Sequence, residues 1–218
     1  MRRLAFLPLV VLALAAFAAR CASPEAALEP AGFDIAPAQA DTAVFAGGCF
    51  WCMEKPFEEL DGVAAVISGF AGGTVPNPTY DQVSTKTTGH YESVEVIYDP
   101  EVVSYDTLLQ VYWHNVDPLD DGGQFCDRGT PYRPAIFVRT PEERAAAEAT
   151  RAELNERFDG EVVVPVLDGA PFYAAEDYHQ DFYRTNPGHY QRYRTGCRRD
   201  ARLDQLWGEN ARHLGDAL

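Results

Sequence analysis

The sequence predicts an α+β fold, namely a ferredoxin-like α/β plait core built on a split βαβ unit and followed by an irregular C-terminal tail. Strand-like apolar runs and helix-like amphipathic stretches follow one another in the order strand, helix, strand, strand, helix, strand, helix, strand. The chain has 218 residues, of which 46% are hydrophobic. This is enough for one filled core, so we expect a single folded domain.

The first half of the predicted domain supplies three strands and one helix. Residues 42–46 form a short apolar run that ends in two glycines, and the residues after them fit a helix that stops at an Asp-Gly pair. Residues 63–70 are apolar and bounded by glycines, which predicts a buried strand. Residues 91–98 alternate between polar and apolar side chains, which predicts another. Residues 72–90 between them are rich in Gly, Pro, Asn and Thr and predict a long loop of the kind that often carries function.

The second half repeats the alternation of helices and strands. Ser104 is a suitable N-cap for an amphipathic helix, and Thr140 followed by Pro and two Glu residues is a strong helix start. A second long polar loop separates these helices. The predicted elements are a helix from residue 104, a loop over 117–134, a strand over 134–139, a helix over 140–158, a strand over 162–167, and a short helix around 174–183 before the irregular tail.

The N-terminus predicts export. Residues 1–21 combine a basic start, an apolar run and small residues, which is the pattern of a signal peptide. The run of about 16 apolar residues is short of the roughly 20 that span a bilayer, so removal is favoured over a transmembrane helix. A lipid anchor at Cys21 is the alternative, and Arg20 just before it disfavours this option. Residues 22–41 are rich in Ala and Pro and predict a disordered linker. The catalytic domain would then span residues 42–218 in a periplasmic or other extracytoplasmic compartment.

The charge of the chain excludes one class of partner. The formal net charge is −15, and no stripe of Lys and Arg interleaves with aromatic residues. Nucleic acid is therefore an unsuitable partner. The acidic body also shows no self-complementary apolar patch, so we expect a monomer.

Four cysteines of the predicted domain carry its candidate chemistry: Cys49, Cys52, Cys126 and Cys197. Cys49 follows two glycines and opens a helix, where backbone N–H groups and the helix dipole favour a thiolate. A buried, inert cysteine is the plain alternative. Two structural disulfides are the usual reading of an even set in an exported chain, and Cys49 with Cys52 also forms the CxxC of a dithiol oxidoreductase. The spacing of the four does not suggest zinc.

Several ordered motifs, covering about residues 43–208, make the prediction specific. They resemble those of the peptide methionine sulfoxide reductase A family. The motifs are GGCFWCMEKPFE at 47–58, GFAGG at 69–73, NPTY at 77–80, TGHYE at 88–92, YDP at 98–100, DRGTPYR at 127–133 and AEDYHQ at 175–180.

The resemblance implies a role for each matching residue. Cys49 would attack the sulfoxide sulfur, and Phe50 and Trp51 would enclose the S-methyl group. Glu92 would protonate the departing oxygen, which requires an apolar environment that raises the pKa of its carboxyl group. The plain alternative for Glu92 is an ordinary carboxylate on a strand surface. Three residues of the loops complete the predicted substrate site: Tyr80, Asp127 and Tyr132. His90 and His179 are assigned structural hydrogen bonds.

The same resemblance implies how the enzyme is regenerated. Attack on the sulfoxide leaves Cys49 as a sulfenic acid, which condenses with a nearby thiol. Cys197 is the first candidate for the resolving cysteine, and Cys126 and Cys52 are the alternatives. Thioredoxin or a thioredoxin-like domain would then reduce the disulfide. The implied reaction is specific for the S epimer of methionine sulfoxide, free or in proteins, and uses neither a metal nor an organic cofactor.

Overall fold

The computed structural model describes residues 39–208. The predicted signal peptide, nearly all of the predicted linker and residues 209–218 lie outside this range. The strands are β1 (Asp41–Gly47), β2 (Val63–Ala71), β3 (Tyr91–Tyr98), β4 (Gly123–Gln124), β5 (Asp127–Arg128), β6 (Pro134–Val138), β7 (Val166–Asp168) and β8 (Tyr173–Ala174). The helices are α1 (Trp51–Glu58), α2 (Tyr80–Ser84), α3 (Tyr105–His114), α4 (Pro141–Arg157), α5 (Phe182–Thr185), α6 (Pro187–Gly196) and α7 (Arg199–Trp207), and short 3-10 turns cover Thr130–Tyr132 and Asp177–His179.

A six-stranded sheet forms the centre of the molecule, with the strand order β7-β6-β1-β3-β2-β8. Strand β1 lies between β3 and β6 and is antiparallel to both, and β3 is antiparallel to β2. Helices cover the sheet, and Phe45 of β1 stacks on Phe57 of α1 and Tyr112 of α3 with centroid distances of 5.2 Å in both cases. The predicted α+β class is confirmed, as are four of the five predicted strands.

The fifth predicted strand, over residues 162–167, is wrong in its position. Only Val166–Asp168 forms a strand, and it pairs with β6 in parallel at the edge of the sheet. The backbone N–H of Val162 donates instead to the side chain of Asn155, and that of Val163 donates to the carbonyl of Pro118. Pro165 has no N–H to donate. Residues 162–165 therefore cannot extend β7 at its N-terminal end.

The predicted irregular C-terminal tail is also wrong, because most of it is helical. The single helix expected around residues 174–183 is replaced by β8, a 3-10 turn and α5. Helix α6 begins with Pro187, whose fixed φ suits the first helical position. Helix α7 buries Leu203, Leu206 and Trp207 on one face. Short helices with few apolar residues gave only a weak periodic signal, and contact with the core stabilises them.

In the part of the chain that the structure describes, no helix is both long and apolar enough to cross a membrane.

Candidate active site

Cys49 lies in the tight connection between β1 and α1. Gly48 makes this turn with a φ of 84°, a conformation that favours glycine. A Cβ atom at Gly48 would also lie 2.5 Å from the Cβ atom of Gln124, so no larger residue fits there. The thiol of Cys49 is consequently held at the edge of the core, with only 6% of the residue exposed.

A small open cavity of about 80 Å³ surrounds this thiol. Its walls come from the start of α1, from α2 and β3, from β5 with the turn that follows it, and from α6. Seven of its eight lining residues were predicted from the sequence. The lining residues are Cys49, Phe50, Trp51, Tyr80, Glu92, Asp127, Tyr132 and Tyr193. The structure thus brings together residues that are separated by more than half of the chain.

Glu92 is a buried carboxyl group in the wall of this cavity. It lies on β3 opposite Phe70 of β2, and only 2% of it is exposed. Its Oε2 atom accepts a hydrogen bond from the backbone N–H of Phe50 at 3.2 Å. Burial raises the pKa of Glu92 to about 8, and the single hydrogen bond offsets only part of this effect. The predicted rise in pKa is confirmed, so Glu92 carries a proton near neutral pH.

Cys49 and Cys52, the inner pair, are buried together and hydrogen-bonded through their thiols. Burial raises the pKa of Cys49, and the neighbouring Cys52 adds to the rise. The hydrogen bond from Cys49 lowers the pKa of Cys52 to about 6, helped by the charges of Arg199 and Arg194. The expectation that the start of the helix favours a Cys49 thiolate stays a prediction, and in the resting site the Phe50 N–H donates to Glu92 instead. The inner pair holds one shared proton and one negative charge.

The hydroxyl groups on the polar side of the cavity are linked to one another. Tyr80 and Tyr132 are joined by a hydrogen bond between their side chains. The hydroxyl of Tyr193 donates to the carboxylate of Asp127. Burial raises the pKa of Asp127 above its usual range, and the Tyr193 hydrogen bond counteracts this rise. Tyr193 was missed by the sequence analysis, although its position four residues before Cys197 could have suggested that it faces the same site.

Cys126 and Cys197, the outer pair, form a disulfide at the rim of the site. Cys126 is exposed and directly precedes Asp127 of the cavity wall, while Cys197 follows α6 and lies one helical turn after Tyr193. In the described part of the chain one cluster could hold a metal ion, namely Cys126, Asp127 and Cys197, whose donor atoms lie within 4.8 Å of one another. Because the two sulfur atoms are bonded to each other, this cluster could bind a metal only after reduction.

The two histidines of the motifs both make hydrogen bonds. His90 accepts from the backbone N–H of Gly73 at 3.1 Å and contacts the carbonyl of Val75 at 2.7 Å, which confirms its predicted structural role. His179 is 1% exposed and accepts a hydrogen bond from the indole N–H of Trp51 at 3.1 Å. It therefore contacts the cavity wall directly.

Comparison with known proteins agrees with this geometry. A sequence model of the family described as Peptide methionine sulfoxide reductase matches residues 41–211. The chain is 53% identical over 175 residues to peptide methionine sulfoxide reductase MsrA 2 of Caulobacter vibrioides, a match that covers 80% of this chain and 89% of that protein. The chain belongs to the peptide methionine sulfoxide reductase A family. It is also 49% identical over 173 residues to MsrA of Bacillus pumilus, covering 78% of this chain and 97% of that relative.

Two solved structures share the fold. Methionine sulfoxide reductase A of Corynebacterium diphtheriae superposes with a TM-score of 0.62 at 35% identity, covering 68% of this chain and 76% of that one. Mxr1 of Saccharomyces cerevisiae in its reduced form gives a TM-score of 0.65 at 26% identity, covering 70% of this chain and 88% of that one. The family is thus supported by both sequence and structure.

Proposed function

We propose that this chain reduces the S epimer of methionine sulfoxide to methionine, both free and in oxidised proteins, with Cys49 as the nucleophile. The observation that carries this proposal is the convergence of a buried thiol, a protonated carboxyl group and two aromatic side chains on one small cavity. Such a cavity meets the three needs of the reaction, which are a sulfur nucleophile, a proton for the departing oxygen and an apolar surface for the methyl group. Membership of the family supports the same activity.

The first step begins with a proton shift within the inner pair. Moving the shared proton from Cys49 to Cys52 leaves a Cys49 thiolate, which attacks the sulfoxide sulfur. Glu92 gives its proton to the sulfoxide oxygen, and Tyr80 and Tyr132 stabilise that oxygen with their hydroxyl groups. The attack forms a bond between Cys49 Sγ and the substrate sulfur. This bond then breaks as the protonated oxygen passes from the substrate sulfur to Cys49 Sγ, so one S–O bond is lost and one is formed. The products are methionine and the sulfenic acid of Cys49, so the substrate is reduced by two electrons and Cys49 is oxidised by two.

Resolution of the sulfenic acid follows within the inner pair. Cys52 is the thiol that is hydrogen-bonded to Cys49, and the charges of Arg199 and Arg194 favour its thiolate. Its attack on the Cys49 sulfur breaks the S–O bond of the sulfenic acid and forms a Cys49–Cys52 disulfide. The departing hydroxide takes the proton that Cys52 received from Cys49 and leaves as water. Cys197, the first candidate from the sequence, is bonded to Cys126. These contacts support Cys52 for the first resolution and a later role for Cys197.

The outer pair then supplies the electrons. In its reduced form, a thiolate of Cys126 or Cys197 attacks the Cys49–Cys52 disulfide, and a second exchange leaves both inner thiols free and the outer disulfide formed. The exposure of Cys126 supports reduction of this disulfide by an external dithiol protein. Thioredoxin, or a thioredoxin-like domain outside the cytoplasm, fits this role. A dithiol-disulfide oxidoreductase that uses Cys49 and Cys52 alone is less well supported, because it has no use for Glu92 or the tyrosines.

The proposal also covers the fold of the core, export and the oligomeric state. The strand order β6-β1-β3-β2, antiparallel throughout, with α1 after β1 and α3 after β3, supports the ferredoxin-like plait for the core.

The composition of residues 1–21 supports export, with membrane attachment only through the N-terminus. The acidic surface supports a monomer. Mass determination of the mature chain would test export, and light scattering would test the monomeric state.

The test of the function is an assay with separated S and R epimers of a methionine sulfoxide peptide and dithiothreitol as reductant. We expect the wild-type protein to reduce only the S epimer, and Cys49→Ser to be inactive on both. Reduction of disulfide substrates without reduction of either epimer would favour the dithiol oxidoreductase instead.

A further inference from the structure

His179 is the best connected residue behind the aromatic wall of the cavity. Its ring centroid lies 4.9 Å from that of Phe50, 5.8 Å from that of Trp51 and 4.4 Å from that of Tyr80. These three residues line the cavity, whereas His179 does not. A single side chain therefore supports three walls of the site from behind.

A stacking contact and a hydrogen bond set the orientation of the Trp51 indole ring, and the rings of His189 and Tyr193 pack on it edge-on, each with a centroid distance of 5.9 Å. The indole stacks on Phe182 with a centroid distance of 3.7 Å and an interplanar angle of 6°, which sets the plane of the ring. The hydrogen bond from its Nε1 to His179 Nδ1 sets the rotation within that plane. Because Nδ1 accepts this bond, the ring proton of His179 lies on Nε2. Burial lowers the pKa of His179, so the neutral ring that the bond requires is favoured.

Glu176 ties the same segment to Tyr80. Its Oε1 atom accepts the backbone N–H of Tyr80 at 3.0 Å, and its charge acts on His179 and partly opposes the effect of burial there. Among the described residues, neither Glu176 Oε2 nor His179 Nε2 has a hydrogen-bond partner, and both atoms are buried. A buried polar atom without a partner is costly, so its retention needs a reason.

The neighbouring residues anchor this segment to the sheet. The side chain of Gln180 bonds both the N–H and the carbonyl of Ser68 on β2, each at 2.9 Å. The N–H of Ala175 donates to the same carbonyl at 2.9 Å. The motif AEDYHQ is therefore attached to β2 at its two ends and carries Glu176 and His179 between them. A rigid scaffold of this kind suits the positioning of a binding site.

We propose that His179 is a positioning residue that fixes Trp51 against the substrate methyl group and thereby sets the preference of the site for methyl sulfoxides. This inference rests on the proposed function. A fixed indole leaves room for a methyl group and excludes a longer alkyl group, whereas an indole free to rotate would discriminate less. Since Trp51 would contact the methyl group before and during the reaction, its loss of position should raise KM more than it lowers kcat.

Two nearly isosteric variants separate the hydrogen bond from mere packing. In His179→Asn, the amide oxygen can occupy the position of Nδ1 and keep the acceptor for Trp51. In His179→Gln, the amide reaches the position of Nε2 and the acceptor is lost. We expect His179→Gln to raise KM for a methionine S-sulfoxide peptide about fivefold to tenfold, the loss of roughly one hydrogen bond, with kcat changed by less than about twofold. His179→Asn should stay within about twofold of wild type in both constants.

Specificity and spectroscopy provide the decisive readouts. The ratio of kcat/KM for methionine sulfoxide over ethionine sulfoxide should fall severalfold in His179→Gln and remain in His179→Asn. The NMR signal of the Trp51 indole N–H should move in His179→Gln alone. Trp51→Phe covers the case in which His179→Gln does not fold, because this variant should show the same fall in the ratio on its own.

The outcomes separate failure of this inference from failure of the proposed function. If the wild-type enzyme is active but His179→Asn and His179→Gln have equal KM values and equal substrate ratios, the positioning role is overturned and the function stays intact. An unchanged ratio in Trp51→Phe would also overturn it. If the wild-type protein reduced no sulfoxide, the function would fail, while the indole signal would still report whether the hydrogen bond exists.

Discussion

The inner and outer pairs of cysteines differ in almost every physical property. Cys49 and Cys52 are three positions apart, buried, reduced and hydrogen-bonded to each other. Cys126 and Cys197 are 71 positions apart, lie at the rim and are joined in a disulfide. The inner pair is beside a protonated carboxyl group and two arginines, whereas Cys126 is open to solvent.

This difference indicates a division of labour. A sulfoxide can be reduced in a small cavity lined by buried groups, where electrostatic effects are stronger than in bulk water. A protein reductant cannot enter such a cavity and needs an exposed disulfide. Two pairs allow the inner thiols to stay buried while their electrons are replaced from outside. Each prediction below tests one side of this comparison.

The largest effect should come from the nucleophile. With dithiothreitol as reductant, Cys49→Ser should lose at least about a thousandfold in kcat/KM. The double variant Cys126→Ser/Cys197→Ser should keep most of this rate, because a small dithiol reaches the inner disulfide directly. With thioredoxin as reductant the double variant should be slow. Equal rates for this variant and wild type with thioredoxin would remove the need for the outer pair.

Glu92→Gln should have the next largest effect, a fall of about a hundredfold in kcat. The pKa of Glu92 is raised to about 8, so the acid is present below this pH and is lost as the pH rises through it. The wild-type rate should therefore fall above about pH 8, and this limb should disappear in Glu92→Gln. Glu95→Gln on the same strand is the control, and it should keep the limb. A limb that persists in Glu92→Gln would show that another group is the acid.

Arg199 tests the charge on the inner pair. The residue is 2% exposed. Its guanidinium donates to the carbonyls of Gly47 and Asn115, and its charge favours the Cys52 thiolate. The rate should rise with pH as the inner pair loses its first proton, and this rise should lie below the usual pKa range of a thiol because Cys49 and the two arginines lower the pKa of Cys52. Arg199→Met should move this rise upward by about one pH unit, and Arg199→Lys, which keeps the charge, by much less. Thermal melting of both variants controls for folding. If the pH of the rate rise shifted equally in Arg199→Met and Arg199→Lys, the effect would come from packing and not from charge.

The smallest effect is a change in stoichiometry. Fully reduced wild-type protein, given excess S-sulfoxide and no reductant, should form about two methionines per chain, since each pair stores two electrons. Cys126→Ser should form about one. The amounts can be measured by chromatography of the quenched mixture. One methionine per chain from the wild type would mean that the pairs do not exchange electrons.

Much of the sheet and most of the cavity could be predicted from the sequence, for local reasons. Strands β1 to β3 have clear apolar patterns, and the motifs around Cys49, Glu92 and Tyr132 are short and contiguous. The helical tail escaped prediction because α6 and α7 have few apolar residues and depend on contacts with the core.

Long-range contacts were the other source of error. The partner of Cys197, the link from Tyr193 to Asp127 and the proton shared by the inner pair all depend on distances that no local pattern encodes. The pKa of Glu92 was predictable, by contrast, because the chemistry demanded it. The roles assigned to the individual cavity residues stay predictions until the variants are measured.

The most direct test of the account is to map the disulfides after a single turnover. Fully reduced protein receives one equivalent of a methionine S-sulfoxide peptide, is quenched with an alkylating reagent and is digested for mass spectrometry. The account predicts a Cys126–Cys197 disulfide with Cys49 and Cys52 alkylated, and a Cys49–Cys52 disulfide in Cys126→Ser. A Cys49–Cys197 disulfide in the wild type, with Cys52 alkylated, would contradict it.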